Sequence, residues 1–224
     1  MSVLFHKAKN PQHAEGIVSL RIAITSLIVI HSFGCLGLLY PPTRSYFELA
    51  TPVNLLITGA LLFYFHKDWN KSFILFSIIC FVTGYLVEVA GVQTGLIFGE
   101  YTYGPTLGFK LWGVPLIIGL NWLILIYSTG VMAQAFSQNW ILKSLIGSGL
   151  MILLDFFIEP VAVTLDFWHW EGGEIPVHNF LGWFITALFL QSVFHLLSFE
   201  KNNLLAKYVF YVQLVFFIFL QILT

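Results

Sequence analysis

Charge is what this 224-residue chain has least of. Ten Lys and Arg and eleven Asp and Glu amount to 9% of it, against 58% hydrophobic residues. Soluble domains carry about 25% charged residues, so a soluble domain is excluded. The composition predicts an all-α polytopic membrane bundle, a single integral membrane domain over residues 1–224. A net charge of −1 offers no basic surface for nucleic acid. Only two cysteines are present, Cys35 and Cys80, both in apolar runs. They suggest neither a disulfide framework nor a zinc site and read as buried bystanders. The seven histidines form no HxxxH or HxxHH box, so the clustered ligands of membrane di-iron enzymes are missing. His31 and His195 read as hydrogen-bonding or interfacial residues. No GxGxxG follows a strand, which leaves a flavin or nicotinamide domain unsupported. The DDxxD-type magnesium motif of prenyltransferases is absent, and the last apolar run has Lys207 only at its start, where a retinal Schiff base has no use for it. No metal and no cofactor are expected. The first apolar run is too long for a cleavable signal peptide and lacks a small-residue cleavage site.

What is present is a series of apolar runs. About 20 such residues cross a bilayer as a helix, which predicts seven spans, near 17–39, 51–66, 72–92, 112–134, 141–163, 178–198 and 204–223, the second being short. The Gly/Tyr-rich stretch GLIFGEYTYGPTLGFK and the stretch DFWHWEGGEIPV interrupt them as loops. Seven spans put Lys7, Lys9, Lys67, Lys71, Lys143, Lys201 and Lys207 on one side and only Arg44 and Lys110 on the other. The excess of positive charge on cytoplasmic loops then predicts a cytoplasmic N-terminus in a cell (inner) membrane. Dropping one span destroys the asymmetry. With this orientation Glu88, Asp155, Glu159, Asn121, Trp122, His178, Asn179 and Trp183 fall in one layer toward the extracytoplasmic side, beside both loops.

The acids in that layer have no cationic partner nearby in sequence, since no Lys or Arg lies between Lys143 and Lys201. An ionised carboxylate in a bilayer core is costly, so such acids face a cavity or a partner. Gly84, Gly91 and Gly95 lie within about 60° of Glu88 at about 100° per residue, which points Glu88 into the bundle. Ser144, Ser148, Met151, Asp155 and Glu159 form one helical stripe, with the two acids one turn apart. Two carboxyls sharing an apolar site are not expected both to ionise. Pro160 lacks an N–H and biases Glu159 away from helical geometry, so a kink is expected beside the acids. Asp166 opens the aromatic loop, and Glu171 and Glu174 read as solvated. Trp69, Trp112 and Trp140 fit an interfacial belt. Trp122 and Trp183 sit deeper, Trp168 and Trp170 share a segment with Asp166, and Tyr101 and Tyr103 follow Glu100. Rings around acids suit an apolar ligand and stabilise a cation by about 0.5–2 kcal/mol each.

These residues suit acid–base work in an apolar pocket: protonation of an alkene, then hydration or cyclisation through the cation. A proton-coupled transporter also uses acids in a bundle, although no inverted repeats are present. The segments VEVAGVQTGLIFGEYTYGPTLG, LWGVPLIIGLNWLI and LLDFFIEPVAVTLDFWHWEGGEIPVHNFLGWFIT contain, in order, E-x-x-G-x-x-T-G, F-G-x-Y-x-Y, G-V-P, D-x-x-x-E-P and N-x-x-G-W. Over about residues 84–187 the chain thereby resembles the membrane carotenoid-biosynthesis family of carotenoid 1′,2′-hydratases, which includes γ-carotene and bisanhydrobacterioruberin hydratases. The resemblance implies cofactor-free addition of water to the terminal double bond of an acyclic ψ-end group, on γ-carotene, lycopene or a similar carotenoid held in the lipid bilayer. Taken with the unpaired acids, it makes Asp155 or Glu159 the expected proton donor to C2. Trp122, Trp183, Tyr101 and Tyr103 are expected to face the C1 cation. Glu88 or Asp166, with Asn121 or Asn179, is expected to hold the water, while Trp168 and His178 complete the substrate site. A carotenoid cyclase, a non-catalytic carotenoid-binding protein and a transporter are the alternatives.

Overall fold

The computed structural model describes residues 11–224, with side chains from 19 onward; Lys7 and Lys9 lie outside this range. Among the described residues seven helices follow one another: α1 (Pro11–Leu39), α2 (Pro41–Tyr64), α3 (Lys71–Thr94), α4 (Ile117–Ala133), α5 (Trp140–Thr164), α6 (Val177–Leu196) and α7 (Ala206–Leu223). Six are long and apolar enough to cross a membrane, and α4 is a shorter apolar helix of 17 residues. The fold is an all-α polytopic bundle of an integral membrane protein. Two small antiparallel ladders join it, β1 (Tyr101–Tyr103) with β4 (Trp168–Trp170) and β2 (Lys110–Leu111) with β3 (Val114–Pro115).

Local chemistry sets several helix ends. The Asn70 side chain accepts the Phe73 N–H and starts α3, and Asn139 does the same for Ile141 and Leu142 at α5, the usual N-cap role of asparagine. Gly95, at φ 67°, ends α3 in the left-handed region that favours glycine.

Three expectations need correction. The second span is not short: α2 begins at Pro41, where two prolines occupy first-turn positions whose N–H groups need no partner, and it runs on through Pro52. The fourth span starts at Ile117 rather than near 112, because Lys110–Pro115 folds back as the β2–β3 hairpin, pinned by the Tyr85 hydroxyl donating to the Leu111 carbonyl at 2.6 Å. Helix α5 continues through Glu159 and Pro160 to Thr164. Glu159 is thus helical rather than biased out of the helix, while the span expected over 141–163 also runs through Pro160.

The connections alternate between two ends of the bundle. At one end the Asn70 amide donates to the Ser198 carbonyl, Asp68 accepts the Glu200 N–H, and Lys143 reaches His195 through Gln134. At the other end β1 and β4 join the 3–4 and 5–6 connections, and Arg44 pairs with Glu48 and donates to the Thr164 carbonyl. Lys67, Lys71, Lys143, Lys201 and Lys207 thus belong to one end, with Arg44 and Lys110 at the other, as alternation of seven spans requires.

Candidate functional site

Glu88 on α3 and Asp155 and Glu159 on α5 are at most 2% exposed. Among the described residues no Lys or Arg pairs with any of them. The donors that satisfy them come from aromatic rings and one amide. Glu88 Oε2 accepts from the Tyr101 hydroxyl at 2.5 Å and the Tyr103 hydroxyl at 2.9 Å, and Oε1 accepts from Trp122 Nε1 at 2.9 Å. Glu159 Oε2 accepts from Trp168 Nε1 at 3.0 Å and Trp170 Nε1 at 2.9 Å. Asn179 Nδ2 on α6 donates to Glu159 Oε1 at 2.8 Å and reaches Asp155 Oδ2 at 3.5 Å. Among the described residues Asp155 Oδ1 has no hydrogen-bond partner.

Strand periodicity builds this arrangement. Side chains alternate across a strand, and Tyr101 pairs with Trp170, Thr102 with His169 and Tyr103 with Trp168. The two tyrosines and two tryptophans therefore point inward together as a screen over the acids, with Tyr101 and Trp170 ring centroids 5.0 Å apart. Thr102 and His169 face outward. Burial and the neighbouring Glu88 push the Tyr101 and Tyr103 phenols above their ordinary range, so both remain neutral donors. On the far side of Glu88, Trp122 stacks on Trp183 with centroids 4.5 Å apart. Gly84 makes room for that stack, since a Cβ there would meet the Trp122 side chain at 2.5 Å. Gly84 and Gly91 admit the rings of Trp122, Phe98 and Tyr101 rather than a neighbouring helix backbone.

Two cavities flank the layer. An apolar one of about 230 Å³ lies among α1, α2, α4, α5 and α7, with Ile158, Asn121 and Trp168 in its wall. A polar one of about 320 Å³ opens at the loop end, lined by Gln93, Thr94, Glu100, Tyr101, Trp170 and Glu171 among others. Trp168 and Trp170 hold the same Glu159 oxygen while one faces the apolar cavity and the other the polar one.

Nine of the twelve residues expected from sequence come together in or beside this layer: Glu88, Asp155, Glu159, Tyr101, Tyr103, Trp122, Trp168, Asn179 and Trp183. Asn121 lines the apolar cavity instead. Asp166 and His178 are not brought in. Asp166 adopts φ 58° at a tight approach to Gly104, and its carboxylate pairs with His169 at the surface. His178 is exposed at the start of α6. Trp170, which bonds Glu159, and His31, Asn54 and Gln213, which line the apolar cavity, were not among the site residues expected from sequence. For Trp170 a signal existed: Y-x-Y and W-x-W share a period of two, which puts alternate rings on one face.

A family model described as carotenoid biosynthesis protein matches residues 50–224. The bisanhydrobacterioruberin hydratase of Haloarcula japonica is 30% identical over 116 residues, an alignment covering 46% of this chain and 38% of that protein. The chain thus spans well under half the length of this relative. No solved structure matches the chain.

Proposed function

The chain belongs to the carotenoid biosynthesis protein family, and from that premise we propose that it is a hydratase, adding water to the terminal C=C of an acyclic ψ-end carotenoid. One observation carries the reading. Buried acids without a cation sit behind an aromatic screen, with an apolar cavity against Trp168 and a polar one against Tyr101 and Trp170. In the proposal hydrocarbon and water come from these two sides and pass the rings to reach the acids, none of which lines either cavity. The similarity to a protein named as a hydratase supports it.

In the proposed mechanism Asp155 is the acid. Both oxygens of Glu88 and both of Glu159 accept bonds from fixed donors, which suits carboxylates as acceptors only. Asp155 keeps one oxygen free, and that oxygen is available to hold and deliver a proton. Transfer to C2 breaks the double bond and leaves a tertiary cation at C1. The indole faces of Trp168, Trp122 and Trp183 stabilise it. Water bonds to C1 and gives up one proton, which returns to the carboxyl layer through Glu159, so the acid is regenerated with no net change in the enzyme. Asn179, bonded to both α5 acids, holds them in register. No cofactor takes part. A cyclase would form the same cation but keep water out, and the polar cavity against Tyr101 and Trp170 favours hydration. We place the N-terminus in the cytoplasm and the acid layer toward the extracytoplasmic side of the cell membrane.

The test is expression in hosts that accumulate lycopene or γ-carotene, with mass spectrometry of the pigments. A product heavier by one water is expected. An isomer of unchanged mass indicates cyclisation, and unchanged pigment in both hosts rejects either reaction. Asp155→Asn should lower product formation by about 10²–10⁴-fold, the usual contribution of a general acid. Full activity in a correctly inserted Asp155→Asn variant overturns its assignment.

A further inference from the structure

We infer that the apolar cavity is an end-on socket for a linear isoprenoid, entered sideways from the lipid, that encloses only the chain terminus and leaves the rest of the substrate in the bilayer. The inference rests on the hydratase reading for the identity of its occupant. Its location rests on the structure. Val53 and Ile57, near the middle of α2, line the cavity yet are 54% and 38% exposed, so the wall they form is also the outer surface of the bundle. In a spanning helix those positions lie at hydrocarbon depth, where lipid and not water meets them. The opposite wall includes Trp168, whose indole N–H holds Glu159. The cavity therefore runs from the lipid-facing side of α2 toward the acid layer.

Its size limits what enters. At about 30 Å³ for a group the size of a water molecule, 230 Å³ holds about eight carbon-sized groups, between one and two isoprene units. A whole carotenoid does not fit. Recognition is then confined to the end group, and the structure at the other end of the polyene has little influence on turnover.

The socket is not purely apolar. Gln213 on α7 is buried and lines it, and its Oε1 has no partner among the described residues. A hydrocarbon end makes no use of that oxygen, whereas a tertiary alcohol donates to it. Gln213 accordingly reads the hydroxylated end.

The experiment uses the full chain in lipid nanodiscs with two photoreactive probes. Both are acyclic isoprenoids of farnesyl length with a diazirine beside the terminus, one ending in the alkene and one in the tertiary alcohol. Label is expected on α1 near Gly34, on α2 between Ala50 and Ile57, and on α7 at Phe216 and Phe217. Gly34→Leu and Thr51→Trp fill the space, since a Cβ at Gly34 meets only Phe216, at 3.7 Å. They should cut labelling at least tenfold. Gln213→Leu should weaken capture of the alcohol about fivefold and leave the alkene probe unchanged; an equal effect on both removes Gln213 from that role. Label elsewhere on the unmodified chain overturns the socket, whether or not the filled variants fold. Pigment hydration without labelling of the socket rejects the socket alone. Labelling of the socket with no hydrated pigment in either host leaves the socket standing and rejects the hydratase reading.

Discussion

Every oxygen of Glu88 and Glu159 is engaged by a fixed donor, whereas Asp155 keeps one free. A buried acceptor that loses its donor costs about 1–3 kcal/mol, which makes these contacts measurable one at a time. Trp122→Phe keeps an aromatic ring over Trp183 but removes the N–H from Glu88, and should lower stability by about that amount in a thermal melt of the detergent-solubilised protein. Asn179→Leu removes the one group among the described residues that hydrogen-bonds both α5 acids and should combine a similar loss of stability with a large fall in product. The acids themselves were legible in the sequence, because carboxylates without cations stand out in apolar runs. Most of their donors were named from the sequence too, but which donor meets which acid was not legible. Trp122 meets Glu88 from another helix, and Trp168 reaches Glu159 only through the pairing of β4 with β1.

The element that closes the site is the β1–β4 ladder. Its return is tight at Gly104, where a Cβ would overlap the Asp166 carbonyl. Gly104→Val should therefore unseat the ladder, expose Trp168 and Trp170, shift tryptophan emission to the red and abolish activity. His169→Ala removes a side chain on the outer face of the same strand. It should change stability by no more than about 0.5 kcal/mol and leave the emission unchanged. The alternation of Tyr and Trp was visible in the sequence, but strand pairing between segments more than sixty residues apart was not. The span over 141–163 was itself legible, and α5 runs through Pro160 as that span does; the bias of proline on Glu159 does not take that residue out of the helix.

At the scale of the molecule, the alternating connections put the lysine-rich loops at one end and the aromatic ladder at the other. If the ladder end is extracytoplasmic, a membrane-impermeant maleimide added to intact cells should modify Thr102→Cys and spare Lys71→Cys. The reverse pattern inverts the proposed orientation. Seven helices, their alternation and the depth of the acid layer follow from hydropathy and the distribution of charge, which act locally and sum along the chain. The aromatic screen, the exclusion of Asp166 and His178 from the acid layer and the two flanking cavities depend on where distant side chains meet. Those meetings are set by helix packing and strand register, properties that no single stretch of the chain contains, and so only the tertiary structure decided them.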